Sequence, residues 1–173
     1  GSTSAATQML KAKVSKTGYE NTDKSAEDLQ NAIDKLAGKK STVFKDARES
    51  KDTSKVTAAA QELIDKYNSL VKVMSKMSSS LDEFYKKALK GLPESIKESL
   101  EKVGITYNSD GTLEVDSDKL KKADVDSLEK IFGSDSEFMK KLSFVTDRIE
   151  SNAEANLQSV SSTYSSTADI MSS

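Results

Sequence analysis

Residues 104–120 read Gly104-Ile105-Thr106-Tyr107-Asn108-Ser109-Asp110-Gly111-Thr112-Leu113-Glu114-Val115-Asp116-Ser117-Asp118-Lys119-Leu120. Two short β-type runs, Ile105 to Tyr107 and Leu113 to Val115, flank an Asp110-Gly111 turn. Asp-Gly between such runs is a strong short-range hairpin signal. An isolated hairpin is marginal in water, so this one is expected to lean on helices. The remainder of the chain reads as helix. The expected fold is therefore mainly α: an elongated antiparallel helical bundle or coiled coil with one small β-hairpin at about residues 105–115. The hairpin turns the chain between two helices and sets their relative register.

Downstream, Asp116 or Ser117 caps a short helix holding Leu120 and Ala123, and Val125, Leu128, Ile131 and Phe132 carry an apolar face up to Gly133. Ser134 or Asp135 is expected to start the last helix, where Phe138, Leu142, Val145 and Ile149 keep a seven-residue pattern. Beyond Ile149 the pattern shifts to Ala153, Leu157, Val160 and Tyr164, a stutter that relaxes a supercoil. Upstream, Pro93 suits the first turn of a helix with Ile96, Leu100 and Val103, closed by Gly104, and Gly91 is expected to end the preceding run. That run is the clearest helix: Val56, Ala60, Leu63, Tyr67, Leu70, Met74 and Met77 alternate steps of four and three, continuing through Leu81, Phe84 and Ala88. Ser78-Ser79-Ser80 can interrupt it, with Ser80 and Glu83 as a capping box at the restart.

Further back, Ser25 reads as an N-cap, with Ala26, Leu29, Ile33 and Leu36 at helical spacing and Gly38 as the stop. Lys39 to Asp52 reads as a connection pinned by Val43 and Phe44. Residues 1–24 are polar and read as a frayed helix or flexible arm. Residues 25–173 read as one helical domain with the hairpin inserted and a Ser/Thr-rich tail from about 159. The opening Gly1-Ser2 looks like a cloning remnant.

The 173 residues can bury a real core, while 35% hydrophobic against 31% charged content suits an elongated helical protein. A net charge of −2 with interspersed Lys and Asp/Glu shows no basic stripe for nucleic acid and no polybasic block for a membrane surface. No segment has the length and apolarity to span a bilayer. The chain lacks Cys, His and Trp, which removes disulfides, the usual zinc sites, thiol nucleophiles and imidazole bases.

Asn108, Asp110, Gly111, Leu113 and Glu114 mimic positions of an EF-hand loop. Aligning Gly111 with that loop's glycine puts Thr106 and Ser117 where acidic ligands belong, so a plain turn is the better reading. Asp116, Asp118 and Asp126 fall near helix starts, where negative charge is favourable; capping is preferred to catalysis. No enzymatic activity, cofactor or metal is expected. Tyr67, Met74, Met77, Phe84, Phe138 and Phe144 could form a groove for a partner helix or simply core, with internal packing favoured. The expected core is Leu63, Tyr67, Leu70, Met74, Phe84, Leu100, Ile105, Leu113, Leu120, Ile131, Phe132, Phe138, Leu142, Val145 and Ile149.

The block Val103-Gly104-Ile105, Asp110-Gly111-Thr112-Leu113, Val115-Asp116, Lys119-Leu120 and Leu128, Ile131-Phe132 resembles the C-terminal part of the flagellar filament-capping family, also called hook-associated protein 2 or FliD. Upstream, Lys66-Tyr67-Asn68-Ser69-Leu70-Val71 is similar to the family's "Tyr-Asn-x-Leu" helix. The resemblance covers roughly Val56 to Leu157 and marks Tyr67, Asn68, Leu70, Gly104, Ile105, Asp110, Gly111, Leu113, Asp116, Leu120 and Phe132 as signature positions of a short or divergent relative. It implies a non-enzymatic structural or assembly protein. Such a protein is extracellular, exported through the flagellar pathway, and acts by coiled-coil contacts with itself, flagellin or hook-junction proteins. The residues alone leave two alternatives: a secreted helical effector or binding module, and a cytoplasmic coiled-coil adaptor.

Overall fold

The computed structural model describes residues 2–172, with side chains described for residues 4–160. Among the described residues, eight helices and one two-stranded sheet follow in the order α1 (Ser2–Ala37), α2 (Val43–Ser50), α3 (Ser54–Met74), α4 (Ser80–Ser95), α5 (Lys97–Lys102), β1 (Ile105–Tyr107), β2 (Leu113–Val115), α6 (Ser117–Lys122), α7 (Val125–Phe132) and α8 (Glu137–Ser172). The mainly α fold with one small hairpin is the one the sequence predicts.

The frame is a pair of long helices. Each of α1 and α8 has 36 residues, about 54 Å at 1.5 Å per residue. They run antiparallel: the Gln30 amide donates to the Ser143 carbonyl at 2.7 Å and the Ser143 hydroxyl donates to Gln30 Oε1 at 3.1 Å, while Asp23, earlier in α1, lies beside Glu150 and Glu154, later in α8. Helix α3 lies antiparallel to α1, with Lys35 and Glu62 paired at 3.0 Å near one end and Gly18 beside Met77 at the other. Ala26, Leu29, Ile33, Leu36, Val56, Ala60, Leu63, Leu70, Leu142 and Ile149 fill the core between the three. A separate small cluster of Tyr19, Met77 and Ala153 closes the end where α3 stops.

Several boundaries depart from expectation. Helix α1 is continuous from Ser2 to Ala37, so Ser25 lies within a helix and is not a cap. No break marks Lys24, and Ala12, Tyr19 and Thr22 are buried. An apolar stripe paired along a long partner holds a polar sequence helical, which local propensity does not reveal. The segment read as a connection contains the two-turn helix α2, anchored by buried Phe44 and Ala47. It ends on Lys51 in the left-handed region, φ 57°. Arg48 ties α2 to α7 through Asp126 at 2.6 Å and Glu129 at 2.9 Å.

The long run from Val56 does break at the serines, but the capping box is one residue earlier than expected. Ser79 Oγ accepts from the Asp82 amide at 3.0 Å, and Asp82 Oδ2 accepts from the Ser79 amide at 3.3 Å. The restart turns the helix, so Asp82, Leu89 and Pro93 face inward. Leu81 and Phe84 are 48% and 64% exposed; the expected continuation of the heptad seam, and Phe84 as core, are corrected accordingly. Gly91 does not end the helix, and Pro93 lies inside its last turn. The ring removes the amide that would bond to residue 89, and the chain restarts at α5 four residues on, with the Ile96 amide donating back to the Pro93 carbonyl at 3.2 Å.

Helix α8 starts at Glu137 instead of Ser134 or Asp135. Ser136 is the residue that caps it, its hydroxyl accepting from the Met139 amide at 3.2 Å while donating to the Ile131 carbonyl at 2.6 Å. Of the expected core, Val145 is half-buried and packs at the edge; the remainder apart from Phe84 is buried. Tyr67, Met74, Met77 and Phe138 of the conjectured groove are likewise buried, whereas Phe144 is 61% exposed beneath the Arg148 guanidinium. The backbone of the Ser/Thr-rich tail continues α8; the side chain of Tyr164 lies outside the described residues.

Candidate functional site

The hairpin forms where the Asp-Gly signal places it, but with a five-residue loop, 108–112, in which only Gly111 takes a positive φ. Strands β1 and β2 pair antiparallel with Ile105 opposite Val115, Thr106 opposite Glu114 and Tyr107 opposite Leu113. The turn closes with the Gly111 amide donating to the Asn108 carbonyl at 3.0 Å and the Asn108 amide to the Thr112 carbonyl at 2.8 Å. Asp110 Oδ1 accepts from the Thr112 amide at 3.0 Å and from its hydroxyl at 2.6 Å. These bonds hold the Asp110 carboxyl below its ordinary range. Gly111 has φ 87° and Gly104 φ 90°, conformations that L side chains rarely adopt. A Cβ on Gly104 would also press on the Asp116 carbonyl at 3.0 Å.

Helix α3 grips this hairpin from one side. The buried Tyr67 hydroxyl donates to the Gly111 carbonyl at 2.7 Å. Burial pushes the Tyr67 phenol well above its usual value, the nearby Tyr107 and Asp110 adding to it; it stays a neutral donor. Next along the helix, the Asn68 amide forms a two-point contact with Leu113: its nitrogen donates to the Leu113 carbonyl and its oxygen accepts from the Leu113 amide, both at 2.8 Å. Asn68 thus behaves as a peptide group on the outer edge of β2, satisfying backbone groups that a two-stranded sheet leaves open. On the opposite side the aliphatic stem of Lys90, from α4, lies over Gly111.

The remaining signature positions surround this clamp. Leu70, Ile105 and Leu120 are fully buried. Leu113 and Phe132 meet Leu63, Tyr67, Leu100 and Leu142 beneath the hairpin. Asp116 caps α6, Oδ1 accepting from the Lys119 amide at 3.1 Å, and its own amide donates to the Gly104 carbonyl at 2.7 Å. The eleven positions therefore fall into one continuous region, arranged to lock chain segments together. The arrangement presents no nucleophile beside a base.

Two features escaped sequence reasoning. Asp82 is 3% exposed. Beyond capping α4, it accepts from the Tyr19 hydroxyl of α1 at 3.2 Å and the Asn152 amide of α8 at 3.3 Å. Burial and the neighbouring Asp82 raise the Tyr19 phenol above its ordinary value. The second feature is an acidic cluster on the α1–α8 seam, where Asp23, Glu150 and Glu154 bring carboxylate oxygens within 4.8 Å of one another. Desolvation first, then Asp23, raises Glu150; Asp23 first raises Glu154, with Glu27 and Asp147 adding to both. The Ser79–Asp82 cap is a local pattern, but the bonds to Tyr19 and Asn152 and the acidic cluster have no local sequence signal, because those partners come together only when distant helices pair.

None of the helices among the described residues is long and apolar enough to cross a membrane. Residues 91–172 match the family model of the flagellar hook-associated protein 2 C-terminus. No curated protein and no solved structure gives a significant match. The matched segment begins in α4 and includes the whole hairpin, so Tyr67 and Asn68 grip it from outside the match. That segment, which holds the hairpin, the cap at Asp116 and the terminal helix, is similar to the C-terminal region of the flagellar hook-associated protein 2 family.

Proposed function

We propose that this protein is a non-enzymatic structural or assembly component of the bacterial flagellum, exported to the cell exterior and working through helix-to-helix contacts with itself, flagellin or hook-junction proteins. The family match over residues 91–172 carries this reading. The physical design supports it: the buried polar side chains of the clamp and of the Asp82 junction are spent on joining segments, which suits a rigid part bearing load between neighbours. In this reading Tyr67, Asn68 and the other signature positions are structural, setting where the long helices lie relative to the hairpin.

The test is a pull-down with the full chain against purified flagellin and hook-junction proteins of the source organism, with localisation by immunogold labelling. Retention of one of these proteins and label on the filament or its tip are expected. Label confined to the cytoplasm, with no retention, overturns the flagellar role.

A further inference from the structure

Helix α4 presents two faces. The inward one carries Asp82, Leu89 and Pro93. The outward one carries Leu81, Phe84, Ala88 and Gly91 in steps of three, four and three, the spacing of a helix-pairing seam. Leu81 and Phe84 are 48% and 64% exposed, and Phe84 meets only the edge of neighbouring Tyr85 among rings, 5.5 Å between centroids. Gly91 is the informative member. A glycine inside a helix costs about 1 kcal/mol against alanine, yet a Cβ built there meets nothing within 4 Å. Nothing within the folded chain requires that residue to be small.

We propose that this face binds the same face of a second copy, with the two α4 helices antiparallel about a two-fold axis. Reversing the helix on itself sets Leu81 against Gly91 of the second copy and Phe84 against its Ala88, twice over by symmetry. Each large side chain then meets a small one, the pattern that lets helices approach closely. On the flank, Glu83, which pairs with Lys86 of its own helix, falls within a turn of the exposed Lys87 of the second copy and of the end of its Lys90, whose stem packs over Gly111. The absent side chain at Gly91 becomes the seat for Leu81. Three helical turns cover less than the roughly 800 Å² per partner of a standard interface, so the dimer is a weak one, favoured where copies are held close together. The inference rests on the helix-contact reading above and is independent of which flagellar protein is the partner.

Sedimentation of the full chain over roughly micromolar to millimolar concentrations is expected to show a monomer–dimer equilibrium. Phe84→Glu, at an exposed site that leaves the fold intact, weakens it at least about tenfold. Gly91→Leu is expected to raise the melting temperature through better helix propensity while abolishing dimerisation, opposite directions that a purely internal role does not give. Because the chain has no cysteine, Leu81→Cys and Gly91→Cys variants mixed together should cross-link to each other; Leu81→Cys alone should not, its symmetry mate lying about 15 Å along the axis. A monomer at every concentration, wild-type dimerisation in Phe84→Glu, self-cross-linking of Leu81→Cys, or capture of another helical protein on this face without self-association each overturns the proposal. No flagellar component enters this assay, so its failure leaves the flagellin pull-down to be judged separately.

Discussion

Asn68 shows how much a single amide can hold. Both of its polar atoms are committed to the backbone of Leu113 at 2.8 Å, so Asn68→Leu leaves one amide and one carbonyl of β2 without partners in a half-buried place. Each costs about 1–3 kcal/mol, toward the low end here. We expect a loss of about 2–3 kcal/mol and a melting temperature lowered by roughly 5–10 °C. Asn68→Asp keeps the acceptor for the Leu113 amide but not the donor, and should fall between the two. Thermal unfolding followed by circular dichroism checks the order; an Asn68→Leu protein as stable as wild type would remove the clamp from the account. Both ends of this contact are quoted motifs in the sequence, Tyr67-Asn68 and Gly111-Thr112-Leu113. Their meeting is not legible there, because 45 residues separate Asn68 from Leu113.

At the scale of elements, the start of α4 decides which of its faces is buried. A run of serines allows a cap at several positions, and Ser79 prevails because its partner three residues on, Asp82, also receives hydrogen bonds from α1 and α8. Ser80 with Glu83 satisfies the same local rule but gives no buried junction. Asp82→Ala removes the reciprocal cap, worth about 1 kcal/mol, and strips Tyr19 and Asn152 of their acceptor at about 1 kcal/mol each. A destabilisation of about 2–4 kcal/mol in urea unfolding is expected. Tyr19→Phe in the Asp82→Ala background should cost little more, since the hydroxyl has already lost its partner; a full additive loss would refute the coupling. The break between Met74 and Ser80 ends the heptad phase of α3, and with Asp82, Leu89 and Pro93 facing inward, Leu81 and Phe84 lie at the surface.

Across the whole molecule, the α1–α8 seam carries a pH dependence. Glu150, through desolvation first and then Asp23, and Glu154, through Asp23 first, titrate above their ordinary 4.5, with Glu27 and Asp147 adding to both. An acid raised on folding makes the native state bind more protons than the unfolded chain, so its ionisation destabilises the fold as pH rises through that window. Asp110, Asp52 and Asp124 are lowered by hydrogen bonds and act in the opposite sense, their contribution disappearing below 3.8. Through these groups stability should therefore be greatest between about pH 3.8 and 4.5 and fall as pH rises above 4.5. Glu150→Gln should raise the melting temperature by a few degrees at neutral pH and have no such effect once pH is below 4.5. Equal stabilisation at both pH values would show that charge repulsion on the seam is not the cause.

What the sequence determined by itself is whatever is written within about a dozen residues: the hairpin with its Asp110-Gly111 turn, the cap at Asp116, the stop at Gly38, the apolar stripe of α3 and the helical class of the chain. These rest on backbone dihedrals and local hydrogen bonds, which neighbouring residues control. Only the tertiary structure decided that α1 runs unbroken through Ser25, that Asp82 joins three helices, that Asn68 closes β2, that acids converge around Asp23, and that Phe84 faces outward. Each of these depends on which distant helices pack together, and that choice is made by burying apolar faces over the whole molecule. Where several local solutions lay close in energy, as at the serines before α4, it was this global burial that selected one.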